Sequence, residues 1–556
     1  MKTMITNNRL LKNLSPVTCH LSLGAVLLSL CVSLASCSDW NDHYEGGAGS
    51  TGGDETLWEQ LSGNAQLSDF SELLAQTMVF RMHKKTPVSY AQLLNGGQAF
   101  TVVAPLNGPF NRDSLLSLLD TNQGDSVVEK FFVMNHLSRT TSSVTAQAQD
   151  LLMLNGKHMA TTLQDIEGTT LVDPNRHAEN GVIHVAATPL PYFENLYEKL
   201  CDDPEYAAIG TFLRQYDEDE FNPTASVSNG IVEGVPVYVD SVVDERNRML
   251  ETIGLINAED SAYWVVVPSK TGWEDARSEA LTYFVYDQKV LKRDSIQNYW
   301  VTRALLDDAI FNTTLQDSPQ DSLVSVQYSR KKPKWHVFYN PFAADGILAQ
   351  AEEQKCSNGI LYGTREWPFT PEMTYFTELW TEAEESTLLI SDEGCTINTR
   401  SLLADSVSEG KYILIQPETY TTNWKVTFRV DNTLSGNYDV CAVVLPKSVN
   451  GSADTKQNKF KAWINYVDTL GNEQSYACKT ADNKSEFKNN ALCVDTIVLA
   501  EDFHFPACNY DQSNSKITVL LQCSMLPRDN TLYSREMLLD CIYLRPRRSV
   551  SAPTTE

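Results

Sequence analysis

Two histidines, two aromatic rings and a short run of acids are the side chains whose types and spacing could do chemistry in this chain. His136 and His184 are imidazoles with no third donor near them in sequence. Zinc takes three or four protein ligands, so a lone pair is a poor site, and both are read as histidines hydrogen-bonded to backbone. Asp217-Glu218-Asp219-Glu220 lacks the glycine-interrupted spacing of a calcium loop and reads as a solvated face. Trp463 and Tyr466 offer ring faces on which a sugar could stack. They stand three apart, and a strand sends such residues to opposite faces, so one belongs to a core and at most one is a platform. The chain holds no Gly-x-x-x-x-Gly-Lys loop, no Gly-x-Ser-x-Gly elbow and no His-Glu-x-x-His pair. Carboxylate pairs for glycoside hydrolysis are assembled by folding and leave no local mark. No cofactor is implied.

Cysteine chemistry divides in two. Cys37 ends Leu34-Ala35-Ser36-Cys37, after a basic segment with Lys2, Arg9 and Lys12 and the apolar run Leu21–Leu34. This resembles a bacterial lipobox, which implies cleavage before Cys37 and lipidation of its thiol; an ordinary signal peptide or signal anchor is the alternative. A spanning anchor needs about 20 apolar residues, and this run is shorter. Residues 1–36 are therefore expected to be a lipoprotein signal peptide. The nine cysteines beyond Cys37 include no Cys-x-x-Cys pair, and several sit in apolar runs such as Val440-Cys441-Ala442. Buried free thiols are expected, with one or two disulfides left open.

The whole chain has 556 residues, 42% of them hydrophobic, so several domains with real cores are expected. Formal charge is −27, and the chain from Cys37 on keeps 41 Lys and Arg against 71 Asp and Glu, a charge of −30. Such a balance argues against nucleic acid or anionic lipid headgroups as partners, because there is no basic face to release counterions. Residues 37–55 read as an acidic and Gly/Ser-rich tether. Its start, Ser38-Asp39-Trp40-Asn41-Asp42-His43-Tyr44-Glu45, resembles the acidic export tag of lipoproteins on the outer face of outer membranes rich in SusC/SusD-like transporters. The eight residues Gly46–Gly53 that follow would reach about 15 Å in mean span. A periplasmic spacer remains the alternative.

Three motifs then organise residues 56–192. Phe100-Thr101-Val102-Val103-Ala104-Pro105 is a strand running into a turn, with Phe110 after it. Asn135-His136 ends an apolar segment, and Asn180-Gly181-Val182-Ile183-His184 is a turn feeding a strand. Pro105, Phe110, His136, Asn180, Gly181 and His184 in this order resemble the fasciclin domain, which implies an α+β fold and a role in adhesion or protein contact. A worn second copy is expected over residues 193–384. Tyr263–Pro268 repeats the strand and Trp273 takes the closing aromatic place. Asp308-Ala309 stands for the central pair, and Asn358-Gly359-Ile360-Leu361-Tyr362 closes the copy. Both histidines are replaced there, as Ala309 and Tyr362, which suggests that His136 and His184 serve one local interaction.

From residue 385 to 546 the pattern changes to short alternating strands, among them Lys411–Gln416, Tyr438–Leu445, Lys459–Val467 and Met537–Leu544, broken by turns such as Ser435-Gly436-Asn437. No helix pattern intervenes, so an all-β sandwich is expected, the jelly roll being one form of it, with residues 547–556 as a tail. Together the resemblances imply a non-enzymatic surface lipoprotein, attached to the membrane through its lipid. A SusC/SusD-like outer-membrane transporter would be its partner, and a glycan a possible ligand. The alternatives are a free-standing adhesin for host or neighbouring-cell glycans or proteins, and a glycan hydrolase with its site in the sandwich.

Overall fold

The computed structural model describes residues 53–81, 84–232, 235–327, 336–402 and 407–548. The expectations for Cys37, the apolar run before it and the tether through Gly52 lie outside these residues. The chain forms two compact units, one of Met1–Glu194 with Tyr216–Arg248, the other of Asn195–Gln215 with Met249–Glu556. No helix among the described residues is long and apolar enough to cross a membrane.

In the first unit the helices Leu57–Ser62 and Ser68–Gln76 carry apolar residues at helical spacing. Thr56 caps the first of them in a reciprocal capping box with Glu59. Leu57, Leu61, Phe70 and Leu74 pack on one side of a seven-stranded sheet, against Phe100, Val102, Ala104, Ile183 and Val185. Val103 and Ala186 face the other side, where Leu151, Met159 and Ile166 cover them. Phe100–Pro105 and Gly181–Ala186 are thus buried on both faces, and they run parallel, from Phe100 opposite Gly181 to Pro105 opposite Ala186.

Asp217–Val232 and Val235–Asn247 form a two-stranded antiparallel ribbon of their own. The acidic run opens it: Asp217–Glu220 are exposed but lie on a strand, with Glu218 paired to Arg248 at 2.5 Å and Glu220 paired to Arg246. The ribbon groups with the first unit, and the segments on either side of it belong to the second.

The second unit begins with a four-stranded sheet in the order Ile310–Asn312, Tyr263–Pro268, Gly359–Thr364, Glu352–Cys356. Tyr263 to Pro268 run parallel to Gly359 to Thr364 in six successive pairs, as the corresponding strands do in the first unit. The sheet joins directly to the C-terminal β region. Tyr286 bridges to Cys508, the Ser435 amide donates to the Tyr283 carbonyl at 2.8 Å, and the Phe284, Trp300 and Tyr510 rings stack edge to face.

That C-terminal region is a two-sheet β-sandwich. One sheet runs Cys395–Ser401, Lys411–Pro417, Met537–Arg547, Gly436–Leu445, Asp495–Phe505, with Leu379–Glu382 also on Met537–Arg547. The other runs Leu389–Glu393, Lys425–Arg429, Thr518–Cys523, Gln457–Val467, Glu473–Ala477. Alternate residues are buried in the second sheet, as in Phe460, Ala462 and Ile464, whereas Tyr438–Leu445 of the first sheet is buried on both faces, Cys441 and Val443 packing with Cys541 and Tyr543. All nine described cysteines are free thiols, seven of them buried.

Candidate functional site

Trp463 sits in the middle of the outward face of the second sheet. Its strand neighbours Ala462 and Ile464 point into the sandwich and are buried, while Trp463 is half-exposed. Strand register places it in a row across the sheet with Ser391, Thr427, Leu520 and Ala477. The row on one side holds Lys425, Gln522 and Lys461, and that on the other holds Arg429, Thr518, Asn465 and Ser475. Some of these polar groups are fixed: Asn465 Nδ2 donates to Thr518 Oγ1 at 3.0 Å, and Ser391 Oγ donates to Thr427 Oγ1 at 2.9 Å. Lys425 pairs with Glu393 at 3.3 Å. Lys461 makes no ion pair among the described residues and stands beside the indole. An indole flanked on a flat sheet by amide and ammonium donors can stack a sugar ring and hydrogen-bond its hydroxyls.

Tyr466 faces the other way. It shares a side of the sheet with Ile464 and Tyr476 and packs edge-on against Phe503, ring centroids 5.3 Å apart. Phe503 leads to the buried Phe505 at 4.9 Å, and Tyr476 caps the group from the surface at 5.1 Å from Phe503. Tyr466 therefore belongs to an aromatic cluster between the sheets and not to the Trp463 face. The partners of this cluster are far apart in sequence, so only folding reveals them.

In the first unit His136 is fully buried. Its Nδ1–H donates to the Phe132 carbonyl at 2.7 Å and its Nε2 accepts the Leu190 amide at 2.9 Å, with Phe132 and Phe70 against the ring. Burial pulls its pKa down to about 4, against the hydrogen bond to Phe132, so the ring is neutral. His184 donates from Nε2 to the Ser142 carbonyl at 3.0 Å and accepts the Asn175 amide on Nδ1 at 3.1 Å. Burial lowers its pKa too. The two rings join different pairs of segments, which corrects the expectation of one shared interaction. Pro105 ends its strand, buried, and Phe110 packs half-buried on Phe132 at 5.2 Å.

Asn180 is a hub that composition could not reveal. Its Oδ1 accepts the Leu57 amide at 2.8 Å, while Nδ2 donates to the Leu94 and Gly96 carbonyls at 2.9 and 2.6 Å. Next to it, a Cβ on Gly181 would stand 2.0 Å from the Phe100 carbonyl oxygen, so only glycine lets the two parallel strands close. In the second unit Asn358 Oδ1 accepts the Leu196 amide at 2.9 Å, and Nδ2 donates to Ile256 and Ala258 at 2.7 and 3.0 Å. A Cβ on Gly359 would stand 1.9 Å from the Tyr263 carbonyl oxygen. Where the first unit has Asn135, the second has buried Asp308, which accepts Ser325 Oγ at 2.6 Å and His336 Nδ1 at 2.8 Å. Trp273 lies buried on the helix Lys270–Tyr283, edge-on to Trp367. Among the described residues no group of three or more His, Cys, Asp or Glu side chains is placed to hold a metal ion.

Residues 68–191 match the fasciclin domain family. No curated protein matches the chain. Among solved structures, it is similar to the family 22 carbohydrate-binding and catalytic modules of a Clostridium thermocellum endo-1,4-beta-D-xylanase, solved with xylohexaose. Identity is 10% and the TM-score 0.20, over 32% of this chain and 29% of that one. A separate xylan-binding domain of family 22 gives 10% identity and a TM-score of 0.20, over 32% of this chain and 97% of the domain. The family 11 carbohydrate-binding module of Clostridium thermocellum, in complex with a mixed-linked tetrasaccharide, gives 15% and 0.17, over 30% and 95%. At these scores none of the three bears on ligand or activity.

Proposed function

We propose that the protein is a non-enzymatic binding lipoprotein of the cell surface, in which fasciclin-type modules carry a sandwich that presents a glycan-binding face centred on Trp463. The observation that carries the glycan reading is that half-exposed indole, set in a row between Leu520 and Ala477 with Gln522, Lys461 and Asn465 beside it. The fasciclin match at residues 68–191 supports binding over catalysis. The four-stranded sheet of the second unit is read as a divergent fasciclin copy, on the strength of its six parallel pairs and the Asn358 hub.

The specific version is an accessory subunit of a SusC/SusD-like nutrient-uptake complex on the outer membrane, tethered by lipid at Cys37. It is motivated by the Leu-Ala-Ser-Cys sequence and the acidic segment after it. Gentle extraction from the native membrane should bring down a large transporter with the protein, without release of sugar from polysaccharide. A lone lipoprotein that cleaves a polysaccharide would overturn the reading and favour a hydrolase. Cys37→Ala should leave an unprocessed precursor or release the protein into the soluble fraction. Unchanged processing and membrane attachment would remove the lipid anchor from the account.

A further inference from the structure

At one end of the sandwich four large apolar side chains stand in water. Tyr420, Leu492, Leu526 and Leu532 are 80%, 75%, 53% and 69% exposed. Single exposed leucines need no explanation, whereas a cluster of them does. These four lie on neighbouring loops. Asn530, in the 3-10 turn Pro527–Thr531 between Leu526 and Leu532, donates from Nδ2 to the Tyr420 carbonyl at 3.2 Å. Gln457 pairs in register with Tyr533 and donates from Nε2 to the Asn489 carbonyl at 2.7 Å, which brings the loop of Leu492 alongside.

The rim of this end is basic. Lys456 Nζ donates to the Asn530 carbonyl at 3.0 Å, Lys488 Nζ lies 4.9 Å over the Tyr533 ring, and Arg528 rides on the 3-10 turn. None of the three forms an ion pair among the described residues. Two of the nearby acids already have partners, Asp454 with Lys447 at 2.8 Å and Asp529 with Lys459 at 3.3 Å, while Glu418 and Asp495 form no ion pair among the described residues. Residues 379–556, which hold the sandwich, carry 17 Lys and Arg against 23 Asp and Glu, a charge of −6, so most of the negative charge of the chain lies before residue 379. The sandwich is thus the part that an anionic surface repels least, and a contact with anionic headgroups there departs from what the total charge leads one to expect.

Aliphatic tips on separate loops give no flat ring for a sugar to stack on. Leucines ringed by unpaired cations suit the boundary between headgroups and acyl chains, where apolar burial and attraction to phosphate add. We propose that this end of the sandwich docks on a bilayer surface bearing anionic headgroups, the leucines entering the interface and Lys456, Lys488 and Arg528 meeting the phosphates. The contact is independent of the Trp463 face and of lipidation.

The test uses the chain from Ser38 onward, which lacks Cys37 and any acyl group, sedimented with phosphatidylglycerol–phosphatidylcholine vesicles and with phosphatidylcholine alone. Binding to the anionic vesicles at low salt is expected, weakening as salt rises. The double variants Leu526→Ser/Leu532→Ser and Lys488→Glu/Arg528→Glu should each bind about tenfold more weakly. Their melting curves should change little, because all four side chains are exposed and the contact of Lys488 with the Tyr533 ring is a surface one. Failure of the parent chain to bind anionic vesicles, equal binding to neutral vesicles at any salt, or undiminished binding by either variant would overturn the proposal.

Discussion

Asn358 holds the helix Leu196–Asp202 as Asn180 holds Leu57–Ser62: each amide side chain accepts the first helical N–H and donates to two carbonyls of a preceding turn. Both helices also start with a capping box, Thr56 with Glu59 and Asn195 with Glu198. The asparagine is thus a three-way tie between helix, turn and central sheet.

Removing that tie leaves a buried N–H and two carbonyls without partners, at a cost of roughly 1–3 kcal/mol for each orphaned group. Asn180→Ala should destabilise the first unit by about 3 kcal/mol. Asn358→Ala should do the same to the second. Urea denaturation of the full chain, followed by fluorescence, checks this. A loss below about 1 kcal/mol in both variants would show that the hub is incidental.

Burial holds the folded-state pKa of His136 near 4, below its unfolded value of about 6.5. The unfolded chain then takes up a proton that the folded chain refuses. Stability from this group is intact above pH 6.5 and is lost as pH falls toward 4, at up to about 1.4 kcal/mol per pH unit. His184, lowered by burial as well, acts in the same direction. Urea midpoints of the first unit's transition, measured from pH 7.5 to 4, should fall accordingly. A flat profile would contradict a neutral, buried His136.

Asp540 should show the opposite sign. Burial, with Glu382 and Glu384 nearby, pushes its carboxyl up to about 7, against the Ser408 amide that donates to it at 3.2 Å. The folded state keeps a proton that the unfolded chain has lost, so stability is greatest below about pH 4 and declines as pH rises through 7. Asp540→Asn should be more stable than the parent at pH 8, and the two should converge near pH 4. Parallel curves at all pH values would contradict the assignment.

Of the nine described thiols, Cys493 is exposed and the rest are buried or half-buried. Burial raises Cys478, Cys508 and Cys523 to about 12, which keeps them protonated and unreactive. Maleimide labelling of the native chain from Ser38 onward should modify one thiol quickly, mapped by mass spectrometry to Cys493, and the others only after denaturation. Rapid labelling of several core cysteines would contradict the packing of both sheets.

Local pattern reveals the strands whose side chains alternate or run apolar. Phe100–Pro105, Gly181–Ala186, Tyr263–Pro268 and most sandwich strands stand within a residue or two of where the sequence puts them. Leu389–Glu393 and Cys395–Ser401 escape notice because they are polar edge strands with few buried side chains. Asp217–Glu220 hides the start of the ribbon, since four consecutive acids look like solvated coil until Arg246 and Arg248 pair with Glu220 and Glu218. The divergence of Trp463 from Tyr466 follows from their spacing alone. Which of them faces outward does not, because that depends on Phe503 and Phe505, which only the folded sandwich brings beside Tyr466. The basic rim is masked in sequence by the acids scattered among its lysines.

The most direct measurement of the central claim is affinity electrophoresis of the chain from Ser38 onward through gels containing a panel of polysaccharides, with Trp463→Ala and Tyr466→Ala beside the parent. At least one polysaccharide should retard the parent. Trp463→Ala should migrate freely while melting like the parent. Tyr466→Ala should still be retarded but lose roughly 2–3 kcal/mol of stability with its aromatic neighbours. Free migration of the parent through every gel, or full retardation of Trp463→Ala, would contradict a glycan-binding face at Trp463.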